Sequence, residues 1–432
     1  LNADVRLTRR QVLATSGALG AAGALSSIGW HGWGGAESAA AATPALPDPA
    51  ASGIDHIVVV MMENRSFDHF FGWVPRADGR QAGLCFTDRQ GVRHATHHLT
   101  EFASCGFADP DHSYEGGRIE LDGGRCDGWL RAGDNDIFCI GYYEKPDLPF
   151  LGGAASSFTV CDRYFAAVMA ETYPNRFYQH TAQTDRLHNN LTISKLPTIW
   201  DRLAAAGVTG RYYFSDVPFI ALWGLKYFSI ARPFVSFLSD AAAGQLPAVS
   251  FVDPRFVDEG SGTSGDDHPR SDIRAGEQFL NHVYTAVTTS PNWSRTMLVI
   301  NFDEWGGFFD HVPPRKAPDV SALTALRGFR VPALVISPRA RRGHVAHGTY
   351  DHTSILKAIE WRWNLPPLTP RDSAARNIAE VLDFVSPPKM SVPTFTVPPF
   401  TPTACPPASA AAADAQWPAL RQFANAQGWS LS

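Results

Sequence analysis

Two apolar runs that each stop on a pair of oxygen-bearing side chains constrain this chain more than anything else in it. Residues 54–62, "IDHIVVVMM", run into Glu63 and Asn64, and residues 296–302, "TMLVINF", run into Asp303 and Glu304. Val- and Ile-rich runs with little alternation fit strands buried on both faces. Such strands belong to a sheet with helices on either side, where ligands gather beyond the carboxyl ends of the strands. Both polar pairs fall at such ends. Two independent turns with solvated acids are the competing reading.

The rest of the chain supports an α/β sheet. A further strand is expected in "VPALVISP" (331–338). Helices are expected over 198–206, over 272–287 with Asp272 as its cap, and over 353–363. Residues 76–150 lack periodicity and read as long loop-rich insertions over the sheet. Residues 385–404 are Pro-rich and predict an extended surface path, followed by a short docking helix in "WPALRQFANAQGWS". The 432 residues carry a net charge of -5, which excludes a polycationic nucleic-acid surface.

The N-terminus has Arg9 and Arg10 ahead of a weakly apolar Ala/Gly run, then the small-residue stretch "AESAAAA" (36–42). This pattern predicts a twin-arginine signal and linker over 1–45, a catalytic domain over 46–384 and a C-terminal tail over 385–432 packing on it. The expected setting is periplasmic or secreted, with the twin-arginine export machinery as a partner and no transmembrane span in the mature form. An exported chain can oxidise its cysteines. Four of the six, Cys85, Cys105, Cys126 and Cys139, cluster where staples would suit long loops, and Cys161 and Cys405 lie further on.

Several polar residues are candidates for chemistry. Three carboxylates buried together are costly unless a cation compensates them, and Glu63, Asn64, Asp303 and Glu304 make an oxygen-rich set for one hard divalent ion such as Ca, Mg or Mn. In "ETYPNRFYQHT" (171–181), Thr172 offers a hydroxyl that becomes a nucleophile only beside a metal or base; a capped turn is the other reading. His112 and His268 both stand among acids, which favours an imidazolium able to donate a proton or hold phosphate. Asp310, His311, Asp351 and His352 either orient metal ligands or pack. Trp129, Tyr142 and Tyr143 either surround a quaternary ammonium or pack.

Six segments taken in order resemble one family: "HIVVVMMENRSFDHFFG", "DPDHSYEGG", "FTVCDRYFAAVMAETYPNRFYQHT", "DDHPRSDIRAGE", "NFDEWGGFFDHVPPR" and "VPALVISPRARRGHVAHGTYDHTSILKAIE". It is the bacterial phosphoesterase family, which unites phosphatidylcholine-type phospholipases C with acid phosphatases in the alkaline phosphatase-like superfamily. The resemblance implies a central sheet flanked by helices on both faces. It implies metal binding by Glu63, Asn64, Thr172, Asp303 and Glu304, and Thr172 as the attacking hydroxyl. It also implies phosphate or leaving-group contacts for His112 and His268, and a phosphoryl contact for Asn175. The expected activity is phospholipase C-type diester hydrolysis through a phosphothreonine. The substrate would be a phospholipid or a small phosphorylated alcohol, met in transient contact with a membrane surface. A broad phosphomonoesterase is the alternative.

Overall fold

Ile57–Met62 and Thr296–Phe302 are buried at every residue, on both alternating faces. In the computed structural model, which describes residues 45–406 and 416–431, the two runs are neighbours inside an eight-stranded sheet. Its strands are β1 (His56–Met62), β2 (Thr159–Cys161), β3 (Gly210–Phe214), β4 (Ala231–Pro233), β5 (Val249–Val252), β6 (Thr296–Phe302), β7 (Ala333–Ile336) and β8 (His344–Ala346). Their spatial order is β8–β2–β7–β6–β1–β5–β3–β4. Only β7 runs against the others. The strand expected over 331–338 is therefore present, but reversed.

The helices used below are α1 (Pro149–Ser157), α2 (Thr172–Thr181), α3 (Ile199–Ala205), α4 (Phe234–Ala242), α5 (Ile273–Thr289), α6 (His352–Trp363) and α7 (Gln416–Ala426). They flank the sheet, α2 packing with α3 and α6, and α5 with α1 and α4. Their starts follow local chemistry. Thr198 and Asp201 form a reciprocal capping box on α3. The Asp272 carboxylate accepts the Arg274 N–H at the start of α5, and Asp351 caps α6.

The register of β1 on β6 positions the site. Met62 pairs with Phe302 in parallel, so Glu63 and Asp303 emerge side by side at the same edge. The Asp303 N–H continues the ladder by donating to the Met62 carbonyl at 3.0 Å.

Three expectations need correction or placing. The cysteines at 85–139 are not stapled to one another. One bridge joins Cys105 to Cys405, and Cys85, Cys126, Cys139 and Cys161 are free thiols. The extended segment after residue 385 is held by its carbonyls, Met390 accepting from Trp293 Nε1 and Pro393 from Tyr284 Oη, and the docking helix is present as α7. The twin-arginine signal and linker expected over residues 1–45 lie, all but residue 45, outside the described residues. Among the described residues no helix is long and apolar enough to cross a membrane.

Candidate active site

The chain leaves β1 through Asn64, whose φ of 59° lies in the left-handed region that Asn tolerates better than most residues. The Asn64 N–H donates to Asp303 Oδ1 at 3.1 Å, and the Glu304 N–H donates to the same oxygen at 2.7 Å. Glu304 Oε2 accepts the Gly306 N–H at 2.7 Å. A Cβ on Gly306, at φ 62°, would stand 2.0 Å from the Asn64 carbonyl oxygen, so only glycine lets the two strand ends interlock.

Thr172 is the first residue of α2, not part of a turn ahead of a helix. It is fully buried, and Oγ1 has no hydrogen-bond partner. One turn on, at the i,i+4 position of the same helix face, Arg176 reaches between the strand ends. Nη2 lies 3.0 Å from Glu63 Oε1, Nε 3.3 Å from Asp303 Oδ2 and Nη1 3.5 Å from Asp253 Oδ1. Sequence reading passed over Arg176. The spacing from Thr172 was the available signal.

Burial dominates the electrostatics. It drives the Glu63 carboxyl far above the ordinary range, the Asp303 charge adding to it and Arg176 opposing. Burial pushes Asp303 up to about 6 against the pull of Arg176. It also lifts Glu304 strongly, with His112 opposing. Burial disfavours the Arg176 charge too, but Glu63, Asp303 and Asp253 together outweigh that and hold it protonated. One guanidinium thus faces several acids that resist ionising together, an arrangement that a further cation completes.

Asn175 turns its amide to the backbone. Its Oδ1 accepts the Val168 N–H at 3.0 Å, and Nδ2 lies within 3.2 Å of the Val168, Ala170 and Glu171 carbonyls. The amide is spent on the loop that leads into Thr172, which leaves nothing for a phosphoryl oxygen. His112 does join the site. Its Nδ1–H donates to the Pro110 carbonyl at 2.7 Å, so Nε2 accepts from Asn64 Nδ2 at 3.2 Å. His268 stands edge-on to His112, ring centres 6.2 Å apart. The acidic neighbours expected to favour an imidazolium at His268 are opposed by its burial. Burial holds it well below the ordinary histidine range, with His112, Arg65 and Arg270 adding to the effect. The nearest carboxylates, Asp109 and Glu259, are 3.7 and 3.9 Å away, and neither ring nitrogen makes a hydrogen bond.

Of the four outer residues, His352 alone touches the strand end, with Nε2 donating to the Asp303 carbonyl at 2.7 Å. Asp351 pairs with Arg327 and Arg371. Asp310 pairs with Arg330, and His311 with Asp68 and Asp78. The aromatics over the loops are packing residues. Trp129 lies against Phe329 and gives Nε1–H to the Cys126 carbonyl, Tyr143 Oη donates to the Glu101 carbonyl, and Tyr142 is buried in the same aromatic cluster as Trp129.

Among the described residues two compact groups offer metal-ligand atoms within 4.8 Å of one another, Glu63–Glu259–Asp266 and Asp68–Asp310–His311. The second already contains Arg330, bonded to Asp68 and Asp310. Asn64 Oδ1, Thr172 Oγ1 and Glu304 Oε1 are buried and make no hydrogen bond, and Asp303 Oδ2 has the Arg176 guanidinium at 3.3 Å. Native interiors rarely leave buried acceptors unmet, and hard oxygen donors are the ligands a divalent ion of the Mg, Ca or Mn type takes. The compact acidic group at this strand end joins Glu63 to Glu259 and Asp266, not to Asp303 and Glu304 as the sequence suggested, and its donor chemistry fits such an ion.

The phosphoesterase family model matches residues 54–366. The chain belongs to the phosphoesterase family. Non-specific phospholipase C1 of Arabidopsis thaliana is 31% identical over 390 residues, covering 79% of this chain and 73% of the plant protein. Non-specific phospholipase C6 of the same plant is 30% identical over 387 residues, with 79% and 74% covered. A solved structure from Vibrio parahaemolyticus, described as a protein in the alkaline phosphatase superfamily, aligns with a TM-score of 0.40 at 10% identity, over 76% of this chain and 70% of that one. This phosphoesterase is a hydrolase, and its strand-end acids and buried hydroxyl lie within the residues that the family model covers.

Proposed function

We propose that this phosphoesterase hydrolyses phosphodiesters of the phospholipase C type, with Thr172 as nucleophile and a phosphothreonine intermediate. The observation that carries the reading is the Thr172 hydroxyl, buried without a hydrogen bond at the first residue of α2, one turn before the Arg176 that contacts Glu63 and Asp303. A single hard divalent ion held by Glu63, Asn64, Thr172, Asp303 and Glu304 would supply Lewis-acid polarisation and lower the pKa of the hydroxyl.

The chain's own groups do the rest. Thr172 Oγ1 attacks phosphorus in line with the leaving alcohol. The positive end of the α2 dipole and the Arg176 guanidinium oppose the negative charge that builds on the phosphoryl oxygens. The Thr172 proton passes to solvent as its oxygen bonds phosphorus, and His268, protonated from solvent, gives its proton to the departing alkoxide as the P–O bond breaks; His112 holds Asn64 through Nε2. Water then cleaves the phosphothreonine with the histidine acting in reverse. Asn175 acts through the loop it clamps. The diester preference follows the names of the relatives, and the Cys105–Cys405 bridge supports an oxidising, exported setting.

Turnover of p-nitrophenylphosphorylcholine against p-nitrophenyl phosphate tests the reading, together with quench-flow trapping of labelled phosphoryl on Thr172. Chelation should abolish activity and added divalent ion restore it. A much higher kcat/KM on the monoester would replace the diester reading with a phosphomonoesterase. Full turnover by Thr172→Ala would remove the covalent route.

A further inference from the structure

The helix α7 lies beyond the residues that the family model matches, yet it enters the active site. Its Trp417 is fully buried. The indole stacks on Phe256 at 3.8 Å between ring centres with the planes 6° apart. The Arg176 guanidinium lies over both rings, 4.6 Å from the Phe256 centre and 5.4 Å from that of Trp417. Trp417 Nε1–H donates to Glu63 Oε2 at 3.4 Å, while Arg176 Nε donates to Glu63 Oε1 at 3.1 Å. Each oxygen of Glu63 is therefore addressed by a donor on a different helix. The start of α7 is anchored on the nucleophile's own neighbourhood: Tyr173 Oη donates to the Gln416 carbonyl at 2.9 Å, and Asn189 Nδ2 bonds Gln416 Oε1.

We infer that Trp417 is a positioning residue for metal binding: it fixes the carboxylate of Glu63 and the plane of Arg176, so that the C-terminal helix completes the site. An indole packed on its neighbours has one orientation, so its single N–H holds the carboxylate at small entropic cost. Donors of this kind around a ligating carboxylate set its direction and the affinity of the site for its ion. The inference rests on the metal-dependent reading proposed above.

Trp417→Phe keeps a ring in the stack and removes only the donor and part of the ring area. Titration calorimetry with Mn2+ should show the affinity of Trp417→Phe falling about 10–100-fold from wild type, the range for lost partners of metal ligands. Activity should recover when Mn2+ saturates the variant, and the metal-free melting temperature should stay close to that of wild type. Leu420→Ala loosens the same helix but leaves the indole N–H. It should lower the melting temperature without changing Mn2+ affinity. For a variant too marginal for calorimetry, the rise in Tm on adding Mn2+ gives the same readout. Equal Mn2+ affinity in wild type and Trp417→Phe overturns the inference alone. Loss of affinity in Leu420→Ala as large as in Trp417→Phe overturns it too, since the indole would then be mere packing. A wild type that binds no divalent ion overturns it together with the metal-dependent reading.

Discussion

The guanidinium of Arg176 lies 3.0 Å from the carboxylate of Glu63, both groups almost wholly withdrawn from water. A buried pair of this kind is weak evidence for stability as it stands, but removing Arg176 leaves the Glu63, Asp303 and Asp253 carboxyls buried without the guanidinium that bonds them. Arg176→Ala should therefore destabilise the fold by about 3–5 kcal/mol. Divalent ions should recover a larger share of the melting temperature in this variant than in wild type, because a second cation then replaces the first. Thermal scans with and without Mn2+ read both effects. An unchanged melting temperature would show that Glu63 is not ionised in the folded protein.

Thr172 separates chemistry from scaffold unusually well, since Oγ1 bonds nothing. Thr172→Ala should cost about 1 kcal/mol of stability through the lost methyl. The same change should lower kcat by at least about a thousandfold, because no neighbouring oxygen takes its place. Thr172→Ser should retain measurable turnover. Steady-state kinetics beside a denaturant melt checks the split.

Asn175 should behave as a holder of Thr172 and not as a phosphate contact. Asn175→Ala removes the acceptor of the Val168 N–H and a donor to the Ala170 carbonyl, at about 1–3 kcal/mol per buried group left unmet. Its kcat should fall with little change in KM. A large rise in KM with normal kcat would return Asn175 to the substrate.

The Cys105–Cys405 bridge closes a separation of 300 residues, for which chain entropy gives roughly 5–6 kcal/mol as an upper bound. Reductant should lower the melting temperature of wild type by several degrees and leave Cys405→Ser unaffected. Equal sensitivity in both would mean that the Cys105–Cys405 bridge does not carry the effect.

A pH dependence follows from Glu277 on α5, far from the strand ends in sequence. Its carboxylate accepts the Phe150 N–H at 2.5 Å and the Leu151 N–H at 3.2 Å. Burial nevertheless pushes its pKa up to about 8. A carboxyl raised above its unfolded value favours folding fully at low pH and loses that contribution as pH climbs through the folded pKa. Stability should thus decline from about pH 5 to about pH 8, and Glu277→Gln should flatten that slope in melts taken across the range. An unaltered slope would place the titration elsewhere.

The sequence by itself determined the local events. Apolar runs ending on Glu63–Asn64 and Asp303–Glu304 had to be buried strands with polar tips, and Asp272 and the stretch around Thr198 announced helix starts, because caps and burial patterns act over a few residues. Only the tertiary structure decided that β1 and β6 are neighbours in parallel register, which brings Glu63 beside Asp303. It also decided that Asn175 spends its amide on backbone, that burial lowers the pKa of His268, and that Arg176 and Trp417 converge on one carboxylate. Strand order, desolvation and the docking of a helix some 350 residues from Glu63 arise from contacts distant in sequence, and no local pattern of residues encodes them.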